Sequence, residues 1–156
     1  MANAKLGSRA SYGNTFVQKL DTSAELTPGD SGKIFMCEQN ASAAVTINLP
    51  KLSHSAGWNA RFILSSASSN VFNIVAWGLP AAGGTGDSGV TNDGESVNYH
   101  EVSGGSDASV IQYNLDGAVF ETSAVIGDSI YIICDGTTWW FDVRSIDAAH
   151  VSGIDS

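Results

Sequence analysis

The chain has 156 residues, 43% of them hydrophobic and 15% charged, which is enough for one domain with a sizeable core and excludes a disordered segment. Its 17 Gly and 21 Ser, with few Glu, Lys, Arg or Leu at helical spacing, exclude a helical bundle and predict many short strands joined by turns. The net charge of −9 would repel a phosphate backbone along any extended contact and argues against a nucleic-acid partner.

The charge is uneven. Lys5, Arg9 and Lys19 all precede the first acidic residue, Asp21, so the first 20 residues carry +3 and the remainder, with four basic against sixteen acidic groups, carries −12. Residues 1–24 lack strand or helix periodicity and read as an extended N-terminal arm. Its apolar members Tyr12, Phe16, Val17 and Leu20 need burial, on a partner or on the chain's own body. No apolar run approaches the roughly 18 residues of a membrane span, and the N-terminus lacks the apolar centre of a signal peptide. These features predict a soluble protein made in the cytosol, with no membrane partner. In that compartment Cys37 and Cys134, both in apolar runs, are expected to be free buried thiols.

Regular patterning begins after Ala24. A turn at residues 27–32 leads into strands over 33–38 and 45–49, the second ending at Pro50. Residues 51–58 form a loop. Residues 61–64 and 71–77 read as a hairpin across the polar tip 65–70, with Phe62 and Leu64 set against Phe72, Ile74 and Ala76. Residues 78–95, with six glycines and almost nothing apolar, are too long for a simple connector and read as a functional or mobile loop. Three more short strands follow at 96–102, 109–113 and 118–122.

The strongest pattern lies in residues 126–143. Ile130, Ile132 and Cys134 alternate with Tyr131 and Ile133, and after Asp135-Gly136 the alternation resumes as Trp139, Phe141 and Val143 against Trp140 and Asp142. A two-residue turn pairs Cys134 with Thr137, and a four-residue loop pairs Cys134 with Trp139. Both keep all six residues on one face, whereas an odd-length loop would drive Trp140 and Asp142 inward. Burying that face offsets on the order of 10 kcal/mol of ordering cost. The expected fold is therefore all-β, an antiparallel β-sandwich or barrel of about nine short strands over residues 25–144. Residues 145–156 read as a flexible C-terminal tail.

Catalytic motifs do not withstand scrutiny. Gly29-Asp30-Ser31-Gly32 matches the nucleophile segment of trypsin-like proteases, and the stretch ending in His150 resembles the one around their histidine. The order is reversed, and Gly86-Asp87-Ser88-Gly89 and Gly127-Asp128-Ser129 repeat the pattern where turns enter strands. His54, His100 and His150 lack metal-ligand spacing, and the acidic loop around Asp87, Asp93 and Glu95 lacks the ligand ladder of an EF-hand. The reading is a non-enzyme with no cofactor and no metal. Trp58, Trp77, Trp139 and Trp140 would suit a sugar platform, but parity exposes only Trp140, which with Tyr131 is assigned to a subunit or surface contact.

Residues 27–37 (TPGDSGKIFMC), 45–50 (VTINLP), 57–64 (GWNARFIL), 71–75 (VFNIV) and 127–141 (GDSIYIICDGTTWWF) resemble a β-structured module of tailed bacteriophages, found in capsid decoration (cement) proteins and tail-fibre proteins. A chain of this size is expected to be a decoration protein rather than a fibre. The resemblance implies a homotrimer on the exterior of the virion capsid that stabilises contacts between major capsid protein subunits, without catalysis. The arm residues Lys5, Arg9, Tyr12, Phe16, Val17, Lys19 and Leu20 are then expected to dock on the capsid, by charge steering and apolar burial. The alternative is a receptor-binding fibre-tip module recognising a host surface glycan.

Overall fold

The computed structural model describes residues 17–76, 97–103 and 110–154. Two sheets face each other across one core. The first has seven strands in the order β1-β3-β5-β10-β11-β7-β8, and the second has five in the order β12-β9-β6-β4-β2. In chain order they are β1 (Val17–Leu20), β2 (Ala24–Glu25), β3 (Ile34–Glu38), β4 (Val45–Asn48), β5 (Asn59–Ser66) and β6 (Phe72–Val75). The second half continues with β7 (Val97–Ser103), β8 (Val110–Leu115), β9 (Gly117–Phe120), β10 (Ser129–Cys134), β11 (Trp139–Ser145) and β12 (Val151–Ile154).

The first six strands alternate between the sheets. β1, β3 and β5 pair in parallel in one sheet while β2, β4 and β6 pair in parallel in the other. A parallel pair needs a crossover, and here each crossover is itself a strand of the facing sheet. The second half is mostly antiparallel, through β5/β10, β10/β11, β7/β8, β6/β9 and β9/β12, with β11 and β7 parallel. The sandwich is therefore mixed rather than purely antiparallel. The strands beyond the expected nine are the short β1, β2 and β12.

Three expectations are corrected. Residues 61–64 and 71–77 do not form a hairpin, because β5 belongs to the larger sheet and β6 to the smaller. The polar link between them carries the chain across the sandwich, and all four β6 residues are buried between β4 and β9. Local alternation is the same for a hairpin and for such an arch, so only the facing sheet decides. The C-terminal segment is not a fraying tail, since β12 covers the edge of β9 and places Val151 opposite Phe120. The Tyr99 hydroxyl lies 3.1 Å from the Val151 carbonyl, and Ile146 N donates to Asp128 Oδ1 at 3.2 Å. The arm's end is likewise part of the body. β1 adds to β3, Leu20 is in the core, and Lys19 bridges Asp21 at 3.2 Å and Glu38 at 2.8 Å.

The core is made by alternate residues of both sheets. From the larger sheet come Phe35, Cys37, Phe62, Leu64, Ile130, Ile132, Trp139, Phe141 and Val143; from the smaller come Val45, Ile47, Phe72, Ile74, Phe120 and Val151. Phe35 stacks on Phe62 at 5.0 Å, and Phe72 meets Phe120 edge-on at 6.2 Å. Both cysteines are free and buried, and burial pushes the Cys37 thiol well above its usual range, so it packs as a small hydrophobe. Gln39 ties the layers at one end: its amide donates to the Phe120 and Glu121 carbonyls at 3.2 and 2.8 Å and accepts from Ser68 N at 2.7 Å.

β10 and β11 pair Cys134 with Trp139 and Ile130 with Val143, so the connection is the four-residue one. Trp139 is fully buried, perpendicular to Trp58 at 5.4 Å, while Trp140 is 46% exposed. Nε1 of Trp139 has no hydrogen-bond partner among the described residues. That costs about 1–3 kcal/mol, against about 4–6 kcal/mol from burying 150–250 Å² of aromatic surface. Packing wins. Trp139→Ala should lower stability by about 3–5 kcal/mol in urea melts, and Trp140→Ala by much less; equal losses would refute the parity. Gly117→Ala should also be severely destabilising, because the added carbon would run into the Ile74 carbonyl oxygen and lie 2.9 Å from Val75 Cα.

Candidate functional site

Residues that alternate outward on the larger sheet form a surface readable from the strand register. Ile133 lies between Asn59 and Trp140, and Trp140 beside Asn98. In the next row Tyr131 lies between Arg61 and Asp142, with His100 beyond; in the next, Ser129 lies between Ile63 and Arg144. Among the described residues, five of the seven large apolar side chains left exposed stand on this face: Val17, Val102, Tyr131, Ile133 and Trp140. Val17 stands apart on the edge strand β1, whereas Tyr131, Ile133 and Trp140 adjoin on β10 and β11, and exposed apolar side chains that are ordinary singly are informative when they are contiguous.

Two neighbouring grooves are cut into it. One, of about 290 Å³, is lined by Tyr131, Ile133, Trp140, Asn98, His100 and Asp142, with Tyr99 and Phe141 at its base. The other, of about 270 Å³, is lined by Arg61, Ser129, Tyr131, Asp142 and Arg144. Tyr131 and Asp142 belong to both. Asp142 is flanked by His100 Nδ1 and Arg144 Nε, each at 3.5 Å. The hydroxyl of Ser129, a buried residue, accepts from Arg61 Nη2 at 3.4 Å.

The Trp140 ring is held in place by the hairpin connection. Its Nε1 donates to Asp135 Oδ2 at 2.9 Å, while Asp135 Oδ1 accepts from Thr137 N, Thr137 Oγ1 and Thr138 N, each at 2.8 Å. Asp135 is thus an acceptor for both the turn and the indole. Trp140 and then Thr137 hold its carboxyl well below the usual carboxylate range. Gly136, at φ 100°, supplies the left-handed residue that this turn needs.

The tempting Gly-Asp-Ser motifs at residues 29–31 and 127–129 lie at turns, while the one at residues 86–88 is outside the described residues. Asp30 Oδ2 accepts from Thr27 N and Oγ1, both at 2.7 Å, and its Oδ1 pairs with Lys33 at 2.6 Å. Ser31 Oγ accepts from Asn59 N at 3.1 Å. At residues 127–129, Asp128 Oδ2 accepts from Val125 N at 2.9 Å and lies 3.0 Å from His150 Nδ1. The residues recur because an Asp in a tight turn satisfies nearby backbone N–H groups.

Of the residues assigned to docking, Lys5, Arg9, Tyr12 and Phe16 lie outside the described residues, as do Trp77 and the glycine-rich loop 78–95. Val17 is exposed at the sheet edge, Lys19 is paired with acidic groups of the body, and Leu20 is in the core. Trp140 and Tyr131 lie where the alternation predicted and are adjacent. The sequence reading missed Arg61, Asn98, His100 and Arg144 as their neighbours, because strand order in the sheet, not spacing in the chain, assembles them. Among the described residues no cluster of metal-ligating side chains forms, and no helix is long and apolar enough to cross a membrane. No known protein family, curated protein or solved structure matches the chain.

Because the Asp135 carboxyl titrates below its unfolded value of 3.8, the latch contributes stability that is fully present above that value and lost only as pH falls through the lowered folded value. Trp140 emission should be constant from pH 7 to pH 4 and change only at more acidic pH. Asp135→Ala should release the ring at pH 7, seen as a red-shifted emission and a lower melting temperature; an unchanged spectrum would refute the latch.

Proposed function

We propose that the protein is a structural virion protein that binds the exterior of a bacteriophage capsid and stabilises it, its partner being the major capsid protein and its own assembly a homotrimer. The observation that carries this reading is how the N-terminal segment enters the body. β1 is the edge strand of the larger sheet, fixed by parallel pairing to β3, by Leu20 in the core and by the Lys19 bridges to Asp21 and Glu38. A segment rooted this way transmits the hold of a docked arm directly to the sandwich. The phage-module motifs and the acidic body facing solvent support the same reading, and the remaining arm charges, Lys5 and Arg9, would orient approach to an acidic lattice.

The root divides the arm into two experiments. Removing residues 1–16 should leave the strand signal in circular dichroism and the melting temperature intact while binding to undecorated capsids falls sharply. Removing residues 1–20 should in addition destabilise the body, because it takes away an edge strand and Leu20. Full capsid occupancy by the 1–16 deletion would refute docking through the arm. Light scattering checks the trimer, before and after capsid binding.

A further inference from the structure

We propose that the two adjoining grooves on the outer face of the larger sheet form one binding site for an acidic saccharide, whose sugar ring stacks on Trp140 and Tyr131 and whose carboxylate lies between Arg61 and Arg144. The site is independent of the capsid reading. The two proposals rest on different elements: the arm joins the sheet at β1, whereas the grooves lie over β5, β10, β11 and β7, four strands away at β11.

Three features select this ligand. The first is the fixed ring: Trp140 is half exposed yet tethered through Nε1 to Asp135, so it presents a flat apolar face whose ordering is complete before a ligand arrives. Ile133 and Tyr131 extend the apolar floor, while Asn98, His100 and Asp142 stand at its border to exchange hydrogen bonds with hydroxyls. An apolar ring face edged by hydroxyls is the surface of a pyranose.

The second is charge. In a chain of net charge −9, both arginines of the described residues project onto this one face and line the same groove. Lys19 and Lys33, by contrast, are bridged to carboxylates. Arg144 contacts Asp142 only through Nε at 3.5 Å and is 70% exposed, and Arg61 donates to the Ser129 hydroxyl. Their guanidinium groups therefore keep donors for a carboxylate, which they suit by their planar fork. Ser129, on the strand between them, adds an O–H donor at the floor. Asp142 borders both grooves and serves as acceptor for hydroxyls, with Arg144 Nε 3.5 Å away to offset its charge.

The third is length. Trp140 and Arg144 are four residues apart on one strand, about 13 Å at 3.3 Å per residue, more than a single sugar ring spans. The ligand is therefore a segment of two or more units carrying a carboxylate.

The test is titration calorimetry and tryptophan fluorescence on the full chain, with trigalacturonate, its methyl ester, 3′-sialyllactose and lactose. At least one acidic probe should bind saturably and at least tenfold tighter than its neutral counterpart. Trp140→Ala should abolish binding, and Arg61→Gln with Arg144→Gln should erase the preference for acid while keeping the fold, as read by an unchanged melting temperature. The double arginine variant keeps the test decisive if Trp140→Ala unfolds. Absence of saturable binding at millimolar probe, equal affinity for acidic and neutral probes, or an oligomer that Trp140→Ala dissociates would each overturn the proposal, the last by assigning the face to a second copy of the chain.

Discussion

The even length of the connection between β10 and β11 is the constraint on which most of this molecule depends. A side chain in a strand has two directions available, and one residue more or less in residues 135–138 would exchange them for all of β11. With four residues, Trp139, Phe141 and Val143 join Ile130, Ile132 and Cys134 inside, and Trp140, Asp142 and Arg144 are left outside. Asp135 fixes that length, because one carboxylate accepts from the backbone of the turn and from the Trp140 indole together. The same contact thus sets the core and pre-orders the outer groove.

Around this hairpin the chain winds between two layers. Each strand from β1 to β6 leaves for the opposite sheet before the next pairs with it, so neither layer is assembled from local contacts alone. Gln39 and Tyr99 each hydrogen-bond from the larger sheet to the smaller, and both are buried with their polar atoms engaged. Burial and then Glu101 push the Tyr99 hydroxyl far above its usual range, so it remains a donor in this network.

Charge is distributed to complement that geometry. Acidic side chains cap turns, as Asp30, Asp128 and Asp135 do, or neutralise lysines at the rim. Arg61 and Arg144 are instead carried by β5 and β11, either side of β10, where sheet order brings them to one groove. An acidic protein can in this way repel polyanions at large and still hold one carboxylate locally, because the contact is short and the general field is screened beyond about 10 Å.

By itself the sequence determined the all-β class, the inward and outward faces of β10 and β11, the role of the Gly-Asp-Ser segments at residues 29–31 and 127–129 as turns and the burial of both cysteines. These follow from period-two alternation and turn chemistry, which act over a few residues. Only the tertiary structure decided that β5 and β6 lie in different sheets, that the parallel windings exist, and that Val17–Leu20 and Val151–Ile154 are edge strands rather than arm and tail. A four-residue strand such as β12, with only Val151 and Ile154 apolar at its ends, shows no alternation and gains its stability from β9. The grooves belong to the same category: Arg61, Tyr131, Asp142 and His100 are distant in the chain and adjacent only because hydrogen-bonded strands bring them into one row. Local pattern fixes which way a side chain points, and long-range pairing fixes what it points beside.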